Sequence, residues 1–173
     1  MTSVEETRKT LTTGVPNVEW DAKTSGAAIY AGDVRPEQLL YAAVLRSPHP
    51  HARIESIDTS KVRAAPGVVG VLTADDLPDR TYIHHGEPLS DRRVLARGVV
   101  RFVGEEVAAV AAETPEQARA ALQLFRVRYK PLRAATTVAA ALREKAPQLH
   151  EHAPGNIALA YTQQLGTEVS AAA

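Results

Sequence analysis

From Trp20 to about Leu142, apolar residues crowd into short runs separated by Gly, Pro and Asp, and the period inside each run assigns an element. Ala27–Ala31, after Ser25-Gly26, has the length of a short strand. Leu39–Leu45 is largely apolar, the pattern of a strand covered on both faces. Arg53–Asp58 alternates, but its apolar pair Ile54 and Ile57 is out of strict period, so the register there is ambiguous. A short helix follows, because Asp58 or Thr59 can cap it and Pro66-Gly67 must end it. Val68–Leu72 reads as another strand. Thr73 and Asp76 then have capping-box spacing, with Asp in place of Glu, for one helical turn.

The clearest unit is Val107–Lys130. Val107–Ala112 is an unbroken apolar run, as in a buried strand. Thr114-Pro115-Glu116-Gln117 is a helix start with an N-cap threonine, a proline at the first position and a glutamine at the third. Ala118, Ala121, Leu122 and Phe125 share one face, and then Phe125, Val127 and Tyr129 alternate with Arg126, Arg128 and Lys130. Strand, helix and strand with tight connections predict a right-handed βαβ crossover in a mixed sheet, within an α+β fold. Thr137–Leu142 is a last short helix and Ile157–Tyr161 a possible strand. The expected organisation is a flexible arm over 1–17, one domain over 18–146, and an extended tail over 147–173.

Composition narrows the function classes. At 173 residues the chain suits one domain able to bury roughly 65–70% of its unfolded surface. Lys plus Arg equals Asp plus Glu, 20 against 20, so no basic stripe suggests nucleic acid. There is no cysteine, which excludes disulfides, a thiol nucleophile and thiolate ligands for an iron–sulfur cluster from this chain. The polar start MTSVEETRKT has no apolar core of a signal peptide, and no apolar run is long enough to span a membrane, so a cytoplasmic location is expected.

Candidate chemistry is sparse. His49/His51 and His150/His152 each offer two metal ligands, where three or four must converge, and His84-His85 are adjacent, so no metal site is expected. Glu105 and Glu106 are consecutive and would point to opposite sides of a strand, one buried against a polar partner and one wet. Ser47 lacks the small-residue elbow of a nucleophile, and the glycines form no phosphate-binding loop. No catalytic residue is assigned.

Several segments occur in an order that resembles the α/β hammerhead domain of the xanthine dehydrogenase and aldehyde oxidase family of molybdenum hydroxylases. They include Lys23-Thr24-Ser25-Gly26, Leu39-Leu40-Tyr41-Ala42, Arg46-Ser47-Pro48-His49, Pro66-Gly67-Val68 and Leu72-Thr73-Ala74-Asp75-Asp76-Leu77-Pro78. Val100-Arg101-Phe102-Val103-Gly104-Glu105, Thr114-Pro115-Glu116-Gln117-Ala118 and Val127-x-Tyr129-x-Pro131-Leu132 complete the set. The resemblance covers about Glu19 to Asn156, with Arg133 standing where a second proline is usual.

This resemblance implies a role in oxidising a small aldehyde or heteroaromatic compound. The hammerhead would support a larger molybdopterin-binding subunit and part of its substrate funnel, beside iron–sulfur and flavin subunits. Molybdopterin-molybdenum, iron–sulfur clusters and FAD would reside in the assembled complex, with no cofactor in this chain. The family's pterin loops and base glutamate follow the hammerhead and have no counterpart in the sequence, so the chain is expected to be inactive alone. By position, the resemblance places Leu89 and Ser90 near the substrate channel, with His84 and His85 close in sequence. Two rival readings are a stand-alone binding or assembly module without a redox role, and a truncated fragment.

Overall fold

The computed structural model describes residues 17–83, 90–160, 162, 163 and 166. It divides into two compact units, with the boundary between Leu39 and Leu40. In the first unit, α1 (Trp20–Ser25) ends at Gly26, whose φ of 75° is the left-handed conformation that suits glycine at a helix C-terminus. Residues 27–30 are irregular, and Ala31–Asp33 forms a 3-10 turn in which the Asp33 carboxylate accepts from the Tyr30 backbone N–H at 2.9 Å. The strand expected over Ala27–Ala31 is therefore absent, because its end is drawn into that turn.

The second unit is built on eight strands: β1 (Tyr41–Arg46), β2 (Ala52–Asp58), β3 (Val68–Thr73), β4 (Tyr82–Ile83), β5 (Ser90–Arg92), β6 (Val99–Val100), β7 (Glu106–Ala112) and β8 (Arg126–Pro131). They form sheets of order β1-β7-β3 and β6-β2-β8 and a β4-β5 hairpin, with every pairing among the described residues antiparallel. The short helices are α2 (Ser60–Arg63), α3 (Pro115–Leu122) and α4 (Val138–Ala141).

The α+β class holds, and β7, α3 and β8 follow one another as expected. They do not form a βαβ crossover. Both edges of β7 are taken by β1 and β3, so β8 pairs with β2 in the other sheet.

Helix starts follow local chemistry. Thr114 accepts from the Gln117 N–H at 3.2 Å while Gln117 accepts from the Thr114 N–H at 3.0 Å, a reciprocal capping box. Thr73 and Asp76 do the same in the 3-10 turn Ala74–Asp76. The Asp58 carboxylate, rather than the Thr59 hydroxyl, accepts from the Ser60 N–H at the start of α2. Those hydrogen bonds hold the Asp58 and Asp76 carboxyls below the usual range. Thr137 caps α4 by accepting from the Ala140 N–H at 3.1 Å. Gly67, at φ 73°, lies so close to the Gln117 amide that a methyl group there would collide with the cap of α3.

Two bulges resolve the irregular periods. In β2, Ile54 pairs with Tyr129 but Ser56 pairs with Arg128, leaving Glu55 extra, so Ala52, Ile54 and Ile57 all turn inward. In β3 the extra residue is Val69, and Val68 and Val71 both face the core. Val62, Val71, Ala108, Val110, Ala121 and Phe125 form one buried cluster, and Ala52, Ala96, Val100 and Val107 form a second. Leu45 and Ile57 touch both clusters and join them into one core.

Strand β1 is not covered on both faces as its composition suggests. Its residues alternate between half-buried and exposed, and Val44 keeps 37% of its surface accessible. Residues 157–160 form no strand, and Tyr161 lies outside the described residues, as does most of the expected arm over 1–17.

Val110 is 1% exposed at the centre of β7, between Ala43 and Val71. Val110→Ala is expected to lower unfolding stability by about 2 kcal/mol, read from urea melts, because the surrounding strands cannot collapse into the space.

Candidate functional site

The polar residues that converge most closely lie where the segment entering β7 meets β5 and the chain after α4. Turn 101–105 is fixed by its own ends: the Glu105 carboxylate accepts from the Arg101 N–H, and the Gly104 N–H donates to the Ser47 carbonyl at 2.8 Å. Arg101 Nε donates to the Leu149 carbonyl at 2.8 Å and brings the C-terminal segment alongside. Asp91, Arg92, Arg93, Arg101, Phe102, Glu105, Glu106 and His150 line a pocket of about 200 Å³.

Glu105 precedes β7 and Glu106 opens it, and both line the pocket rather than falling on opposite faces of one strand. Burial pushes the Glu105 carboxyl above the usual carboxylate range, against the lowering effect of the Arg101 and Phe102 N–H groups. Glu106 pairs with Arg46 at 2.6 Å. The two carboxyls therefore accept from different partners, the Arg101 N–H and the Arg46 guanidinium.

The histidines have distinct places. His51 is 8% exposed, and its Nδ1 lies 2.7 Å from the Arg133 carbonyl. His49 packs edge-on against Tyr129, with ring centroids 5.0 Å apart. Both are absorbed by the fold around β2 and β8. Ser47 is buried, and its hydroxyl bonds only to the His49 backbone, with no base beside it. Of the channel candidates, Ser90 opens β5, while His84, His85 and Leu89 lie outside the described residues.

His150 and His152 have rings 5.4 Å apart, and the fold adds a third group, Asp91, whose Oδ2 is 3.9 Å from His150 Nε2. Burial, helped by the Arg101 charge, lowers the His150 pKa below the usual imidazole range, with Asp91 opposing. Nothing in the local sequence announces Asp91. It reaches the histidines only because β5 and the segment after α4 meet at turn 101–105.

This chain offers no thiolate to an iron–sulfur cluster. The chain has no cysteine, no buried side-chain N or O among the described residues lacks a hydrogen-bond partner, and Gly104, in the pocket's turn, has open space around it rather than a close cradle. No helix among the described residues is long and apolar enough to cross a membrane.

Residues 25–133 match the family described as aldehyde oxidase and xanthine dehydrogenase, a/b hammerhead domain. A probable xanthine dehydrogenase component from Bacillus subtilis (strain 168) is 43% identical over 135 residues, covering 78% of this chain and 18% of that protein. The nicotinate dehydrogenase large molybdopterin subunit of Eubacterium barkeri is 38% identical over 128 residues, covering 74% of this chain and 30% of that protein. Among solved structures, quinoline 2-oxidoreductase from Pseudomonas putida 86 superimposes with a TM-score of 0.72 at 36% identity, over 81% of this chain and 18% of that one. The chain thus spans less than a third of the length of each of these proteins.

The raised Glu105 pKa has a defined consequence. The folded state binds this proton more tightly than the unfolded state, so Glu105's contribution to stability is present below the unfolded carboxylate range and is lost as pH rises through the folded pKa. Glu105→Gln should therefore gain melting temperature relative to the parent as pH rises from about 4 to 7. Thermal melts of both proteins across that range measure the difference, and a constant offset would contradict the assignment.

Proposed function

This chain belongs to the aldehyde oxidase and xanthine dehydrogenase hammerhead family, and from that premise we propose that it is the non-catalytic support of a molybdenum hydroxylase. In this reading the hammerhead, over 18–146, packs on a larger molybdopterin-binding part and walls part of the substrate funnel. Iron–sulfur and flavin components stand beside it, in the cytoplasm. The substrate is a small aldehyde or heteroaromatic compound oxidised in the assembled complex, and this chain supplies neither a cofactor ligand nor the base. Relatives named for nicotinate and quinoline support the heteroaromatic class. We assign the loop of His84, His85, Leu89 and Ser90 to the channel wall.

One observation carries the reading: the outer face of sheet β1-β7-β3 has no polar residue along its centre. Register places Val44 beside Ala109 and Leu72, and Ala42 beside Ala111 and Gly70. Leu72 is 47% exposed. A sheet face this apolar asks for a cover, and in a support subunit the cover is the partner.

Affinity purification from the native host is expected to bring down a larger chain together with molybdenum. Leu72→Arg should abolish that co-purification while leaving the melting temperature within a few degrees, since Leu72 is outside the core. A lone 18.6 kDa species without molybdenum would instead favour a stand-alone module. In the assembled enzyme, Leu89→Trp is expected to raise KM several-fold with little change in kcat, measured by steady-state kinetics.

A further inference from the structure

We propose that Asp91, His150 and His152 form a binding site for a divalent first-row transition-metal ion, with Zn²⁺ the best-matched probe. The ligating atoms of the three residues all lie within 4.8 Å of one another. The separation between Asp91 Oδ2 and His150 Nε2 is 3.9 Å, too long for a hydrogen bond. It is slightly longer than the roughly 3.3–3.6 Å between ligands held about 2.0–2.2 Å from a tetrahedral zinc ion. Closing the set takes side-chain movements of up to about 1 Å, and His152 is exposed. Two imidazoles and one carboxylate favour zinc and its neighbours over calcium or magnesium, and they leave a fourth position for water.

The backbone holding these ligands is already ordered. Leu149 N–H donates to the Asn156 side-chain oxygen at 2.9 Å, and the Asn156 amide donates to the Ala141 and Pro147 carbonyls at 3.0 Å. The His150 carbonyl accepts from the Ala153 N–H at 3.1 Å and from Gln148 Nε2 at 2.7 Å. Arg101 anchors Leu149, and Ala153 is 6% exposed. Among the described residues, His150 lies against the Asp91 carboxylate at 3.9 Å, so the first two ligands already face one another. A bound ion would tie the segment after α4 to β5, closing one side of the pocket next to Glu105. This inference rests on the three side chains alone and is independent of the molybdenum reading.

The test is titration of the full chain, produced without a histidine tag, with Zn²⁺ by calorimetry and with Co²⁺ by visible absorption. One equivalent is expected to bind, and the melting temperature should rise with zinc concentration. Loss of a supporting partner already weakens metal sites by roughly 10–100-fold, so His152→Ala and Asp91→Asn should each weaken binding by about 100-fold or more. His152→Cys should restore binding and add a thiolate-to-cobalt charge-transfer band. Absence of stoichiometric binding, or binding unchanged in His152→Ala and Asp91→Asn while both variants stay folded by circular dichroism, would overturn the proposal.

Discussion

Strand β7 is hydrogen-bonded on both edges, to β1 and to β3, and most of the second unit follows from that double ladder. With both edges satisfied the strand can be buried, so its side chains must be apolar, and the close approach of α3 favours small ones. Ala108 and Val110 meet that requirement in one cluster with Ala121 of α3 and Phe125, and Ala112 is fully buried. The same ladder excludes β8 from this sheet and sends it to β2. The result is two three-stranded antiparallel sheets joined through Leu45 and Ile57 rather than one mixed sheet.

The ladder also explains why the outer face is apolar yet exposed. Pairing sets Val44, Ala109 and Leu72 in a row, and no charge interrupts it. A stand-alone protein would place polar residues at alternate positions there, as β8 does with Arg126, Arg128 and Lys130. The contrast between these two strands in one chain is the observation on which the proposed partner contact rests.

Turn 101–105 governs the polar side of the molecule. It brings the segment after α4 against β5 through Arg101, holds the Glu105 carboxyl in a partly dry setting, and returns the chain to β7 beside Ser47. These contacts order a small polar region, and the Asp91 and histidine cluster is a separate feature of the same corner.

By itself the sequence determined the elements whose causes are local. The Thr114–Gln117 and Thr73–Asp76 boxes, the stop at Pro66-Gly67, the apolar run of β7 and the alternation of β8 each depend on backbone geometry within a few residues. The ordered motifs, read together, pointed to the hammerhead family. The tertiary structure alone decided which strands pair, because an edge is available or occupied only once the other strands are in place. It set the bulges at Glu55 and Val69, which turn Ile54 with Ile57, and Val68 with Val71, to one side despite their odd spacing. It also joined Asp91 to His150 and His152, since a group that converges through packing leaves no mark on the spacing of residues along the chain.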